Sequence, residues 1–214
     1  MLNKDWLIKS RLAMRQLPIT EFFMLDNALD TVALQRDRVI AAIYLAQSAR
    51  EYQMEQLRSD SSLFGRLHER AQNLHWKMFT ELNFYFIAWG SIYRLLWHGD
   101  NLKNGKRCPS IVDILKDDKF NVVIGSYKEI VHEYYKRRND IEHVLARIHE
   151  GVQDLGNLQF SGNKRTFTYD KRPIDISDSA FGLVEQLAES IEQWITTLEP
   201  KLNVIQVLAD EQKK

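Results

Sequence analysis

The stretch from Gly125 to Gly151 constrains the fold most, because its pattern predicts one long amphipathic helix. Ser126 is a candidate N-cap with Glu129 three residues on, and Gly151 can end the helix in a left-handed turn. At about 100° per residue, the apolar residues form one stripe. The stripe consists of Tyr127, Ile130, Val131, Tyr134, Ile141, Leu145 and Ile148. A helix with such a stripe has to pack against other elements.

A charged residue interrupts the stripe. Arg138 falls inside it, and an unpaired buried guanidinium would cost several kcal/mol. Glu142 lies one turn further on and is the candidate ion-pair partner. A second face of the same helix is polar at four positions: His132, Lys136, Asn139 and His143. The helix therefore carries a polar constellation that runs from its core face to a second face.

Two more long helices are predicted before this one. Helical spacing of apolar residues runs from Thr20 or Asp26 to about Arg58, after a short helical pattern over Asp5–Leu17. Its apolar positions are Leu25, Leu29, Val32, Val39, Ile43 and Leu45. After a turn that supplies an N-cap, the next helix runs from about Leu63 to Trp97. It holds an aromatic belt: Trp76, Phe79, Phe84, Tyr85, Phe86, Trp89, Tyr93 and Trp97. We expect these aromatic side chains to be buried in the hydrophobic core. A platform on which nucleic-acid bases stack is the alternative, although nothing in the spacing of the rings favours it.

The region between the second long helix and Gly125 is less regular. His98–Ser110 predicts a locally basic loop, because it is rich in turn residues and contains Lys103, Lys106 and Arg107. Those side chains could meet phosphate, but a solvated loop is the simpler explanation and the one that we expect. Ile111–Lys116 predicts a short helix.

The pattern changes after Gly151. Leu155–Phe160 and Arg165–Tyr169 alternate as the strands of a β-hairpin around a turn of Ser, Gly, Asn and Lys. Ser177 is the N-cap of a last helix, whose core face is Phe181, Val184, Leu187, Ala188, Ile191, Trp194 and Leu198. The sequence thus predicts an all-α up-and-down bundle, with a small hairpin insertion near 155–170, in one domain over 1–214.

Composition limits the kind of phosphate site and the cellular compartment that we expect. Lys plus Arg and Asp plus Glu both number 29, so the net charge is zero and any phosphate site must be local. With one cysteine, Cys108, the chain forms no intrachain disulfide, which fits a reducing compartment. The first residues lack the apolar core of a signal peptide, and no apolar run approaches about 20 residues. We expect a cytoplasmic protein that does not associate with a membrane.

Several chemistries lack their motifs. The sequence contains no G-x-x-x-x-G-K-[ST] loop, no G-x-G-x-x-G and no H-E-x-x-H. The six histidines are scattered, and none has convincing metal-ligand spacing with a carboxylate. We therefore expect neither a metal nor another cofactor.

The constellation itself, Arg138-Asn139-Asp140-Ile141-Glu142-His143, fits R-x-x-x-x-H with asparagine after the arginine. It resembles the signature of the HEPN superfamily, all-helical proteins of which many are metal-independent ribonucleases. The resemblance implies a homodimer, in which two copies of Arg138 and His143 meet on one strand of single-stranded RNA. It also implies a toxin or phage-defence effector, with an antitoxin or regulatory protein as an expected partner.

The residue types suit such chemistry. Histidine titrates near neutrality, so His143 suits proton transfer at the 2′-hydroxyl or at the leaving 5′ oxygen. Arginine binds phosphate bidentately, so Arg138 suits charge stabilisation, and Asn139 can orient the imidazole or donate to a phosphate oxygen. Glu142 would hold Arg138, while Lys136 and Arg147 would contact the substrate.

Two alternatives remain open from the residues alone. Arg138 and Glu142 can form a partly buried structural pair, with His143 as an ordinary exposed helix residue. The chain can also be a non-catalytic HEPN-like module that binds nucleotides or RNA, or a scaffold that dimerises through the same helix.

Overall fold

The computed structural model describes residues 19–59, 62, 64–101, 107–142, 157–161, 164–169 and 172–197. This part of the chain is mostly helical. Its α-helices are α1 (Ile19–Ser59), α2 (Phe64–Tyr93), α3 (Ile111–Leu115), α4 (Asp118–Gly125), α5 (Lys128–Glu142), α6 (Asp178–Phe181) and α7 (Leu183–Thr196), and a π-helical turn (Arg94–His98) follows α2. The strands are β1 (Asp100–Asn101), β2 (Arg107–Cys108), β3 (Asn157–Ser161), β4 (Lys164–Tyr169) and β5 (Arg172–Asp175). The predicted helical class with a small antiparallel hairpin is confirmed.

Contacts divide the chain into two compact units. The first takes the described residues of 19–31, 89–135 and 182–197, and the second takes those of 32–88 and 136–181. Helices α1, α2 and α5 contribute residues to both units. The single domain expected from the sequence stays a prediction.

Aromatic rings from three helices form a core in the first unit. Phe22 of α1 lies 6.2 Å from Phe120 of α4 and 6.1 Å from Trp194 of α7, measured between ring centroids. Phe120 and Trp194 are 4.7 Å apart. A hydrogen bond supports the same region, because the Tyr127 hydroxyl donates to the Gln186 carbonyl at 3.1 Å. The predicted apolar face of the last helix is confirmed at Val184, Leu187, Ala188, Ile191 and Trp194, all of which are buried.

The last predicted helix is two helices in the structure. Ser177 caps α6 as predicted, with its hydroxyl accepting the Ala180 N–H at 3.5 Å. Helix α6 ends at Phe181, and Gly182 then serves as the N-cap residue of α7. Leu198 lies outside the described residues.

The hairpin belongs to the second unit. Strands β3 and β4 pair antiparallel with Leu158 opposite Phe167, close to the predicted bounds. Phe167 is buried, and its ring centroid lies 5.8 Å from that of Phe79 and 6.4 Å from that of Phe86 on α2. The sequence did not predict β5, which pairs with β4, because it is only four residues long and contains Pro173.

The second unit also contains an antiparallel pair formed by α1 and α2. Arg38 of α1 donates from Nη2 to Oε1 of Glu81 on α2 at 3.0 Å, and Glu81 is buried. Helix α1 spans the predicted range, and its predicted core positions are buried except Leu45, which is 51% exposed. The aromatic belt is core over Tyr85, Phe86, Trp89 and Tyr93, whereas Trp76 and Phe84 are exposed. The prediction was therefore wrong for Leu45, Trp76 and Phe84.

The predicted basic loop contains a small sheet. Asp100 pairs with Cys108 and Asn101 with Arg107, so the prediction of loop alone was wrong. Residues 102–106, which include Lys103 and Lys106, lie outside the described residues. Helix α3 follows where predicted, with a capping box between Ser110 and Asp113.

Candidate functional site

Helix α5 carries the candidate site, and it begins later than predicted. Helix α4 continues to Gly125, and Ser126 has helical angles, φ −63° and ψ −22°. The Ser126 hydroxyl donates backwards to the Val123 carbonyl at 3.4 Å. The prediction of Ser126 as N-cap was therefore wrong, because α4 uses this residue for its own end. The Tyr127 carbonyl instead accepts the first bond of α5, from Val131 N at 3.0 Å.

The core face of α5 agrees with the predicted stripe at its start. Val131 and Tyr134 are buried, and the Tyr134 ring lies 5.5 Å from that of Trp89. The deepest arginine, however, is Arg137, which is only 5% exposed, whereas Arg138 is half-buried. The sequence holds the signal that was missed: Arg137 follows Tyr134 by three residues and Ile130 by seven, which are core-face spacings.

The structure describes the side chains of some of the predicted site residues but not of all of them. Lys136 is exposed and Arg138 is half-buried, and both have an interaction partner within the protein. Asn139 and Glu142 belong to α5, but their side chains lie outside what the structure describes. His143 and Arg147 also lie outside it. Lys136, Arg138, Asn139 and Glu142 thus all belong to α5, within about 9 Å along its axis, with Lys136 and Arg138 on opposite sides of the helix. The position of His143 stays a prediction.

His132 does not extend an open polar face as the sequence suggested. Its ring is half-buried and stacks on Tyr93, with centroids 4.8 Å apart and planes 9° from parallel. The imidazole of His132 is therefore part of the packing of the first unit. The predicted polar face is therefore reduced to Lys136 and Asn139 among the residues described on α5.

Other rings join Tyr93 and His132 at the π-helical turn. Tyr135 stacks on Tyr93 at 4.8 Å, and the exposed His98 ring lies 6.0 Å from that of Tyr93. The turn closes with a bond from Gly99 N to the Arg94 carbonyl at 2.8 Å. These contacts show that the rings pack against one another. Stacking of nucleic-acid bases on the exposed parts of these rings stays an alternative.

Within the described residues, no group of three or more His, Cys, Asp or Glu side chains is arranged to hold a metal ion. No helix in that part of the chain has the length and apolar character needed to cross a membrane.

A scan of protein-family models finds no match for this chain, and searches of curated proteins and of solved structures find no significant match either. The resemblance to HEPN proteins therefore depends on the residues from Arg138 to His143 and on the helical class.

Proposed function

We propose that this protein is a metal-independent endoribonuclease that cleaves single-stranded RNA at a site shared by two copies of the chain. The observation that carries the proposal is the R-x-x-x-x-H spacing from Arg138, a half-buried residue of α5, to His143. A half-buried guanidinium loses little side-chain entropy when it binds phosphate. On a continuous helix, exposed Lys136 would face the same side as His143, seven residues on, and can attract the RNA strand there. A toxin or phage-defence role accompanies the activity as an expectation from the resemblance.

In the proposed reaction, His143 accepts the proton of a ribose 2′-hydroxyl, and the oxygen attacks the adjacent phosphorus. Arg138 binds the non-bridging oxygens and stabilises their charge. The bond to the 5′ oxygen breaks, and this oxygen takes a proton from a protonated histidine, which the second copy of His143 can supply. The products are a 2′,3′-cyclic phosphate and a 5′-hydroxyl. Asn139 orients the imidazole.

The spacing favours a shared site. On a continuous helix, residues five apart are about 140° apart around the axis. One helix therefore directs Arg138 and His143 towards different sides, whereas two copies can place Arg138 of one chain near His143 of the other. Glu142 would fix Arg138, and Lys136 and Arg147 would contact the strand on both sides of the cleaved bond.

The test uses purified protein, single-stranded RNA and excess EDTA. We expect cleavage that leaves a 2′,3′-cyclic phosphate, whereas an RNA with one 2′-deoxy nucleotide should resist at that position, because it lacks the nucleophile. His143→Ala should lower the cleavage rate by about 10²-fold or more, the usual share of general acid–base catalysis. Arg138→Ala should lower it at least as much.

Lys128→Ala provides the matched control, because Lys128 is an exposed cation at the start of the same helix. It should cleave at the wild-type rate, and all variants should stay folded, as measured by circular dichroism. Cleavage that persists in both His143→Ala and Arg138→Ala, or that stops in EDTA, would contradict the proposal. RNA binding without cleavage by the wild-type protein would favour the non-catalytic binding module.

A further inference from the structure

The distal parts of α1 and α2 form a helix pair without a buried residue. We call residues 44–58 and 64–77 the arm. None of the residues described there is buried, although Ile43 and Met78, which flank the arm, are both 0% exposed. The arm instead exposes large apolar side chains: Tyr44, Leu45, Tyr52, Met54, Phe64 and Trp76. Exposed apolar surface of this extent indicates an interaction site.

Part of this surface lines one groove of about 260 Å³ between the two helices. Leu45, Ala49 and Tyr52 line it from α1, with the spacing of one helix face. Leu67, Arg70 and Leu74 line it from α2 with similar spacing. Leu45 and Tyr52 are 51% and 50% exposed, which is unusual for residues in an apolar stripe.

The Arg38–Glu81 bond sets the register of this pair. Because the helices are antiparallel, counting outwards from that bond places Leu45 level with Leu74 and Tyr52 level with Leu67. The two stripes, Leu45 to Tyr52 and Leu67 to Leu74, each span eight residues, or about 10.5 Å along the helix axis. The groove therefore lies between two stripes of matched length, one on each helix.

We propose that a second copy of the same arm fills this groove, so that two chains form a four-helix bundle across a two-fold axis. A two-helix layer buries its stripe only against another layer. An identical arm presents stripes of the same length and spacing, which makes the contact self-complementary.

Charge complementarity on the flanks of the groove supports this partner. Exposed Glu51 and Glu55 lie one turn apart on α1, and exposed Arg66 and Arg70 lie one turn apart on α2. In the register above, the acidic pair and the basic pair are offset by two residues, or about 3 Å along the helix axis. A two-fold axis parallel to the arm places α1 of one copy against α2 of the other copy. This contact occurs twice in the dimer, and each time it brings the acidic pair of one chain near the basic pair of the other.

The first test is the mass in solution, measured by light scattering over a concentration series that includes tens of micromolar. Wild-type protein should have twice the mass of one chain. Tyr52→Glu combined with Leu74→Glu places charge in the groove, and we expect its dissociation constant to rise at least 10-fold. Met54→Glu is the matched control, because Met54 is equally exposed on the arm but does not line the groove. It should leave the dimer intact.

A charge exchange tests the arrangement itself. Glu51→Arg with Glu55→Arg in one chain, and Arg66→Glu with Arg70→Glu in another, should each weaken self-association, because like charges then meet. Mixing the two variants should restore a dimer with one chain of each kind, since both contacts again join opposite charges. Unchanged unfolding midpoints would show that each variant is folded.

A monomeric wild-type protein, or a dimer that the groove variant does not weaken, would overturn the inference. Failure of the mixed charge variants to associate would overturn the two-fold arrangement. The inference does not depend on ribonuclease activity, so an inactive dimer would contradict the proposed function alone.

Discussion

At the scale of single residues, Gly99 shows how backbone geometry limits substitution. Its φ of 67° and ψ of −177° lie in a region that is nearly exclusive to glycine, and a Cβ there would overlap the Cys108 carbonyl oxygen. We expect Gly99→Ala to destabilise the protein by about 1–3 kcal/mol from backbone strain, with the overlap adding to it. Urea unfolding measures this change.

Gly125→Ala is the matched control for that prediction. Gly125 is the last residue of α4, and no atom lies within 4 Å of the position that its Cβ would take. The substitution should be neutral or stabilising by up to about 1 kcal/mol, because alanine favours helix over glycine. Equal destabilisation by both substitutions would contradict the strain at Gly99.

At the scale of elements, Phe167 attaches the β-sheet of the second unit to α2. It is 1% exposed, and it pairs with Leu158 and Ile174 on the neighbouring strands. A small sheet of this kind is marginal without packing. Phe167→Ala should therefore cost about 3–5 kcal/mol, the usual loss for a large buried aromatic side chain.

Thr168→Ala serves as the comparison, because Thr168 follows Phe167 on β4, points to the opposite face and is half-buried. Its cost in the free energy of unfolding should stay under about 1 kcal/mol. A cost for Phe167→Ala as small as this one would show that the hairpin does not contribute to the core.

At the scale of the whole molecule, zero net charge limits how RNA can bind. In the proposed function, three cationic residues per chain contact the RNA strand: Lys136, Arg138 and Arg147. Between three and six phosphate contacts predict a slope of about −2 to −4 for the logarithm of the binding constant against the logarithm of salt concentration. Binding by His143→Ala protein, which leaves the RNA uncut, provides the measurement. A slope steeper than about −6 would indicate a broad basic surface instead.

The sequence by itself determined the features that depend on local periodicity. The length of α1, the apolar face of α7, the position of the short helix α3 and the hairpin of β3 and β4 follow from spacing and turn chemistry, which act over a few residues. The helix that carries Arg138 and Lys136 was predicted in the same way, whereas the site itself stays a prediction.

Only the tertiary structure decided which of these positions are covered. Ile43 and Met54 lie eleven residues apart and so face the same side of α1, but Ile43 is buried and Met54 is 55% exposed, because burial depends on what lies opposite. The same reason accounts for the stacking of the His132 ring on Tyr93 of α2, which the sequence did not predict. Periodicity orients a side chain on its own helix, whereas the neighbour that covers it comes from residues far away in the chain, which local spacing does not specify.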